Sequence, residues 1–260
     1  EHIPSFEEKV QMVEARGRQN DVEAQRVLGQ MYYFGFKMPV DQPRGISWLV
    51  RAAENDDTDS QFLLGLIYLE GEGVAVDYAR AARWLGEVAK KGNRDAQFYM
   101  SELCRGGLGV PQDDAQAVDW LRKSAEQKVA MAQYRLGLRY YVGKSVPQDD
   151  AQALRWMTQA AEQGHAMAQH GVANMYELQR GMPADARNYV RAVEWKTKAA
   201  KQGYAPAQAD LAQSYIDGIG VQADLDLAEY WLEKAAAQGD ATAAAKLKAV
   251  RRYREQQDLR

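Results

Sequence analysis

VPQDDAQA fills residues 110–117 and returns unchanged at residues 146–153, a separation of 36. A segment repeated verbatim at that spacing marks an internal repeat, and periods of this size belong to stacked supersecondary units. The tryptophans carry the register outward in both directions. Trp48, Trp84, Trp120, Trp156, Trp195 and Trp231 are all the tryptophans of the chain, spaced by 36, 36, 36, 39 and 36 residues. Five residues after each stands Ala53, Ala89, Ala125, Ala161, Ala200 or Ala236. A further column pairs an apolar with a small residue, as in Leu28-Gly29, Leu64-Gly65, Met100-Ser101, Leu136-Gly137, Val172-Ala173 and Leu211-Ala212. Three residues beyond the small one comes a tyrosine, replaced by Cys104 in the third unit.

Each unit reads as two helices. In the first, exemplified by residues 131–141, Ala132, Leu136, Gly137 and Tyr140 share one face, the spacing of a buried helical stripe. It stops at glycine, where a chain leaving a helix takes the left-handed conformation. The second starts at Asp41, Asp77, Asp113, Asp149 or Asp224, whose carboxylates can accept from the free N–H groups of a first helical turn. VPQDDAQA is therefore a loop followed by a helix N-cap. Its paired aspartates suit capping and the helix dipole better than acid–base chemistry. The tryptophan column, with small residues one turn later, reads as core that lets neighbouring helices interlock. Gly92, Gly164, Gly203 and Gly239 end four units, while Asp56 and Lys128 stand in that place in two, where less ideal turns are expected.

The expected organisation is an all-α, right-handed α/α superhelical solenoid of about six repeats, at 21–56, 57–92, 93–128, 129–164, 165–203 and 204–239. Stacked units bury their faces only against neighbours, so the ends require caps. Residues 1–20 supply one, with a Ser5/Glu8 capping box opening a helix through about Arg16 and Met12 in the tryptophan column. Residues 240–260 supply the other, continuing the first-helix alanine column at Ala243 and then turning strongly charged. In the fifth unit, three residues longer, Asn188 stands where the capping aspartate is expected.

Composition narrows the function. The net charge of -3 provides no basic stripe for phosphate binding, so nucleic acid is excluded as a partner. No apolar run reaches the roughly 20 residues of a membrane-spanning helix. The start, EHIPSFEEKV, is polar and lacks an initiator Met, as an export signal already removed would leave it; trimming of another kind would look the same. A periplasmic or envelope-associated location is the expectation over a cytoplasmic one. The single cysteine, Cys104, forms no intrachain disulfide and stands in a packing column, so it reads as a small core residue.

The stretch AQYRLGLRYYVGKSVPQDDAQALRWMTQAAEQGHAMAQ, residues 132–169, resembles the Sel-1-like repeat, a relative of the tetratricopeptide repeat. The resemblance runs from Asp21 to Gly239. It implies a right-handed superhelix that serves as a protein-binding scaffold or adaptor. Bacterial proteins similar to this act in the envelope, in secretion, in host interaction or as immunity proteins that neutralise secreted toxin enzymes. A folded toxin is thus the alternative partner to a peptide segment.

Positions that vary between the chain's own repeats are free for recognition. On the first helices these are spaced i, i+4, i+7 and i+11 and form one face. Leu63, Leu66, Tyr99, Glu102, Arg135, Leu138, Asn174, Asp210 and Gln213 are its candidate partner-binding residues. Tyr99, Arg135 and Leu138 are the candidate anchors, since aromatics and arginine dominate binding hot spots. The face would be a groove, apolar and aromatic in units two to four and more polar in five and six. Leu63, Leu66 and Leu138 could instead pack between neighbouring helices. The longer loop at residues 177–190 is a second candidate surface.

Nothing in the sequence supports catalysis or a cofactor. His165 and His170 are five apart, the wrong spacing for two metal ligands on one helical face. The Gly-x-Gly pairs end helices instead of following strands, and no nucleophile or phosphate-loop motif occurs.

Overall fold

The computed structural model describes residues 3–185 and 187–258. Fourteen helices and no strand occur among them. In order they are α1 Phe6–Arg18, α2 Val22–Phe34, α3 Gln42–Glu54, α4 Thr58–Glu70, α5 Tyr78–Lys90, α6 Arg94–Gly106, α7 Asp114–Glu126, α8 Ala130–Val142, α9 Asp150–Glu162, α10 Ala166–Glu177, α11 Arg187–Lys201, α12 Ala205–Asp217, α13 Leu225–Ala237 and α14 Ala241–Asp258. Even-numbered helices from α2 to α12 are the first helices of repeats, and α3 to α13 the second. The chain divides into two compact units, residues 1–124 and 125–260.

Within the first unit α1 to α6 pack in chain order, each against the next. The cores are built by the sequence columns: Leu28, Leu49, Leu64 and Leu85 are fully buried, and each contributes about 1.5–3 kcal/mol on leaving water. The small residue after Leu64 has a steric reason. A β-carbon on Gly65 would stand 2.5 Å from Cγ of Leu85, so the second helix can approach only where this side chain is missing. In the second unit α8 to α14 pack in the same succession around Leu136, Met157, Val172, Leu211 and Leu232.

Helix ends follow the expected chemistry. Asp41, Asp77, Asp113, Asp149 and Asp224 accept from the backbone N–H groups of Arg44, Arg80, Gln116, Gln152 and Leu227. Both copies of VPQDDAQA are thus loop and cap. The Ser5/Glu8 capping box is present at the start of α1. Asp56 and Lys128 hold φ of 67° and 64°, left-handed backbone occupied by residues with side chains.

Three expectations are corrected. Asn188 caps nothing: it lies inside α11, buried, and donates to the Pro183 carbonyl, while Asp185 accepts from the Arg187 N–H. The longer fifth unit moves the helix start, and the cap moves with it. Met12, which holds the tryptophan position in α1, is 61% exposed, so there the column is not core. The tryptophan column is core only in part. Trp48, Trp84 and Trp231 are buried, whereas Trp120, Trp156 and Trp195 are half-buried; a cation lies over the ring in both groups, as Arg51 on Trp48 and Lys123 on Trp120.

A column that sequence reasoning passed over joins the repeats. Gln25, Gln61, Gln97, Gln133, Gln169 and Gln208 are all buried, and each donates from Nε2 to the carbonyl eight residues earlier, at Gly17, Ala53, Ala89, Ala125, Ala161 and Ala200. Each bond ties the end of a second helix to the next first helix. The glutamine oxygens are used as well: Gln25, Gln61, Gln133, Gln169 and Gln208 accept from Asn55, Lys91, Gln163, Gln202 and Gln238. Hydrogen bonds at both ends of these buried amides offset the cost of taking them out of water.

Candidate functional site

All nine candidate residues are half-buried. In the first unit Leu63 on α4 packs against the cluster of Tyr33, Ile46 and Ile67. Leu66 and Tyr99, on α4 and α6, pack together against the cluster that holds Leu85, Val88 and Leu103. The Tyr99 ring centre lies 6.4 Å from that of Phe62. Burial pushes the Tyr99 hydroxyl pKa up, with Glu70 and Asp95 adding to it, so the phenol is a neutral hydrogen-bonding group. Glu102 is bridged to Arg105 at 2.9 Å. On the corresponding face of the first repeat Phe34, at the end of α2, is 50% exposed and packs on Phe36.

In the second unit Leu138 on α8 packs against the Met157 and Met175 cluster. The leucines of the face thus serve the stack with one side. Arg135 lies one turn before Leu138 on α8. Asn174 on α10 shares its turn with Glu177, and Asp210 and Gln213 lie one turn apart on α12. This part of the face is charged. His170 Nε2 is 2.8 Å from Asp210 Oδ2, and Gln213 donates to Asp217. Burial pushes the Asp210 carboxyl up, but His170 together with Lys196 and Lys246 outweighs it, and the carboxyl ends below its usual range.

Two features of this face escaped the sequence. Lys196, 3% exposed, reaches from α11 to Glu177 on α10 at 2.5 Å and also donates to Ser214 on α12. The register could have exposed it, since Leu49, Leu85, Leu121, Met157 and Leu232 fill that position in the other repeats. The second is an open cavity of about 540 Å³ between α12 and α14, lined largely by apolar side chains, at the end expected to be polar.

The remaining candidates are bound up in structure. Cys104 is fully buried with Sγ 3.0 Å from Gln116 Oε1, and burial, then Asp113, pushes its thiol up, away from the reactive thiolate. His165 is the N-cap of α10 and accepts from the Ala168 N–H. The long loop is tied down by Arg180, which forms two bonds to Asp150 at 2.8 and 2.6 Å and lies over the Tyr141 ring. Among the described residues no three His, Cys, Asp or Glu converge to hold a metal, and no helix is long and apolar enough to cross a membrane.

Comparison with known proteins gives this geometry a family. The sequence pattern of the Sel1 repeat matches residues 22–57, 58–93, 94–129, 130–165, 166–204 and 205–240. The crystal structure of c5321, a protective antigen present in uropathogenic Escherichia coli strains and displaying an SLR fold, is similar over 93% of this chain, with 32% identity and a TM-score of 0.86. The match covers 51% of the antigen, so this chain spans about half its length. A Sel1 repeat protein from Oxalobacter formigenes is 33% identical over 94% of this chain and 80% of its own, with a TM-score of 0.66. The immunity protein PA5088 from Pseudomonas aeruginosa, 21% identical over 92% of this chain and 86% of its own at a TM-score of 0.48, is too distant to say what this chain binds. No curated protein matches the chain. Six matched repeats built of paired helices show that the chain belongs to the Sel1-repeat family.

Proposed function

We propose that this chain is a non-enzymatic adaptor that binds a protein partner through the variable face of its first helices. The observation that supports this reading is the contrast between columns. The leucines, the alanines and the clasping glutamines are held from repeat to repeat and buried, while the first-helix face changes at every unit and stays partly open. A residue freed from the stack and placed on a rigid helix is suited to recognition. In the first unit the face offers Leu66, Tyr99 and exposed Phe34, in the second Arg135, Asn174, Asp210 and Gln213. Apolar anchors beside fixed polar groups fit a polypeptide surface.

The test uses the purified chain as bait in a lysate of its own source. Two variants accompany it: Tyr99→Ala/Arg135→Ala/Leu138→Ala, and Glu102→Arg/Gln213→Arg, which leaves the buried clusters untouched. Stoichiometric capture of one protein by the parent, lost in both folded variants, supports the reading. Equal capture by all three removes the face as the binding surface. If the captured protein is a secreted enzyme that loses its activity on binding, the adaptor is an inhibitor.

A further inference from the structure

The cavity at the end of the second unit is lined by Ile216 of α12, Leu225 of α13, and Ala249, Val250 and Tyr253 of α14. The repeat register shows what occupies the matching place elsewhere. Leu225 is the first residue of α13, and its counterparts are Gln42, Tyr78, Asp114, Asp150 and Tyr189. On four of these rests the glycine loop that follows the next first helix, while in the loop after α8 the matching position is Ser145, also at positive φ. Gly73 lies against the Gln42 side chain, and Gly109, Gly181 and Gly220 against the carbonyls of Tyr78, Asp150 and Tyr189. All four glycines have positive φ, and a β-carbon on any of them would collide with that partner. The residue after three of them is a valine, and Val74, Val110 and Val221 pack against buried clusters.

No such turn lies on Leu225 among the described residues. α14 runs straight through position 256, which is 36 residues after Gly220, so the seat that the other junctions fill stays open. α14 also carries the variable face onward. Lys246, Ala249 and Tyr253 stand 36 residues after Asp210, Gln213 and Asp217, and Lys246, Ala249 and Tyr253 all border the cavity. We infer that this vacant junction binds a glycine–aliphatic turn of a partner protein, the same chemistry that the chain's own loops place at four of the internal junctions. A glycine meets the backbone of the first turn of α13, and the aliphatic side chain enters between Ile216 and Val250. The inference rests on the protein-binding reading above, but its test does not use the natural partner.

The probe is a synthetic peptide with the sequence of residues 214–223, SYIDGIGVQA, titrated into the isotopically labelled full chain and followed by NMR. Saturable shifts at the methyl groups of Ile216, Leu225 and Val250 are expected. The same peptide carrying Val221→Asp binds about tenfold more weakly, since a buried aliphatic side chain is lost. Ala249→Trp, at an exposed helical position of the protein, covers the seat without entering the core and abolishes the shifts while the remaining spectrum is retained. Absence of saturable shifts, equal affinity for both peptides, or undiminished binding to Ala249→Trp overturns the inference. Partner capture that depends on the first-helix variants but not on Ala249→Trp leaves the adaptor reading standing and removes this seat from it.

Discussion

Lys196 Nζ stands 2.5 Å from Glu177 Oε1, in a position where five other repeats bury leucine or methionine. A buried ion pair stabilises little in net terms, because desolvation of both charges offsets their attraction. Removing one partner is another matter. Lys196→Leu leaves a carboxylate that is already 30% exposed and restores the apolar column, so stability stays the same or rises. Glu177→Ala strands a buried ammonium and costs about 3 kcal/mol. Urea unfolding of the two variants checks the asymmetry.

The glutamine clasp makes a second prediction. Gln133 donates to the Ala125 carbonyl and to Gln159, and accepts from Gln163. Gln133→Leu leaves those groups without their partner inside the stack, at a cost of about 2 kcal/mol. Gln163→Ala, at an exposed position, costs less than about 0.5 kcal/mol. Equal effects of the two in thermal or urea unfolding would remove the clasp as a source of stability.

Left-handed turns offer a gain. Lys128→Gly relieves a φ of 64° and stabilises the chain by about 1 kcal/mol. Asp56→Gly relieves a similar strain but gains less, because Asp56 bridges Lys91 across the turn at 2.5 Å. The midpoints of chemical unfolding rank the two.

His165 makes stability depend on pH. Burial holds its pKa below the usual 6.5, and its Nδ1 must be unprotonated to accept from the Ala168 N–H. Well above pH 6.5 the imidazole is neutral in both states and has no effect. As the pH falls below 6.5 the unfolded chain takes up the proton first, so this group makes stability fall until the lowered folded-state pKa is reached. His165→Asn keeps a capping acceptor that does not titrate. The difference in stability between parent and variant, measured from pH 7.5 to 5, should shift against the parent as the pH drops, and a constant difference would sink the assignment.

The repeat frame was legible because tryptophan, alanine and glycine are rare enough in one register to be noticed, and because aspartate caps announce themselves before an apolar run. The glutamines recur just as faithfully but are polar, and polarity suggests solvent unless a buried acceptor is known. Ala125 and its five counterparts supply that acceptor only once the second helix is laid against the next first helix. Lys196 was hidden for the opposite reason. A lysine in a helix reads as an outward charge, and only its fixed distance from Trp195 places it among the buried leucines. The first-helix face was visible as variation, but that Leu63, Leu66 and Leu138 also serve the core follows from packing alone. The cavity at Leu225 arises from how α14 continues, which no column predicts.

The clasp has a consequence for how such a chain evolves. Since Gln25, Gln61, Gln97, Gln133, Gln169 and Gln208 each grip a backbone carbonyl, a group that every unit offers, this bond of the seam is kept whichever unit precedes. Duplication or loss of one 36-residue cassette by recombination preserves the join while importing or deleting a whole set of face residues. The verbatim return of VPQDDAQA is what a recent copying event would leave behind, and one such event changes many face residues together where a substitution changes one.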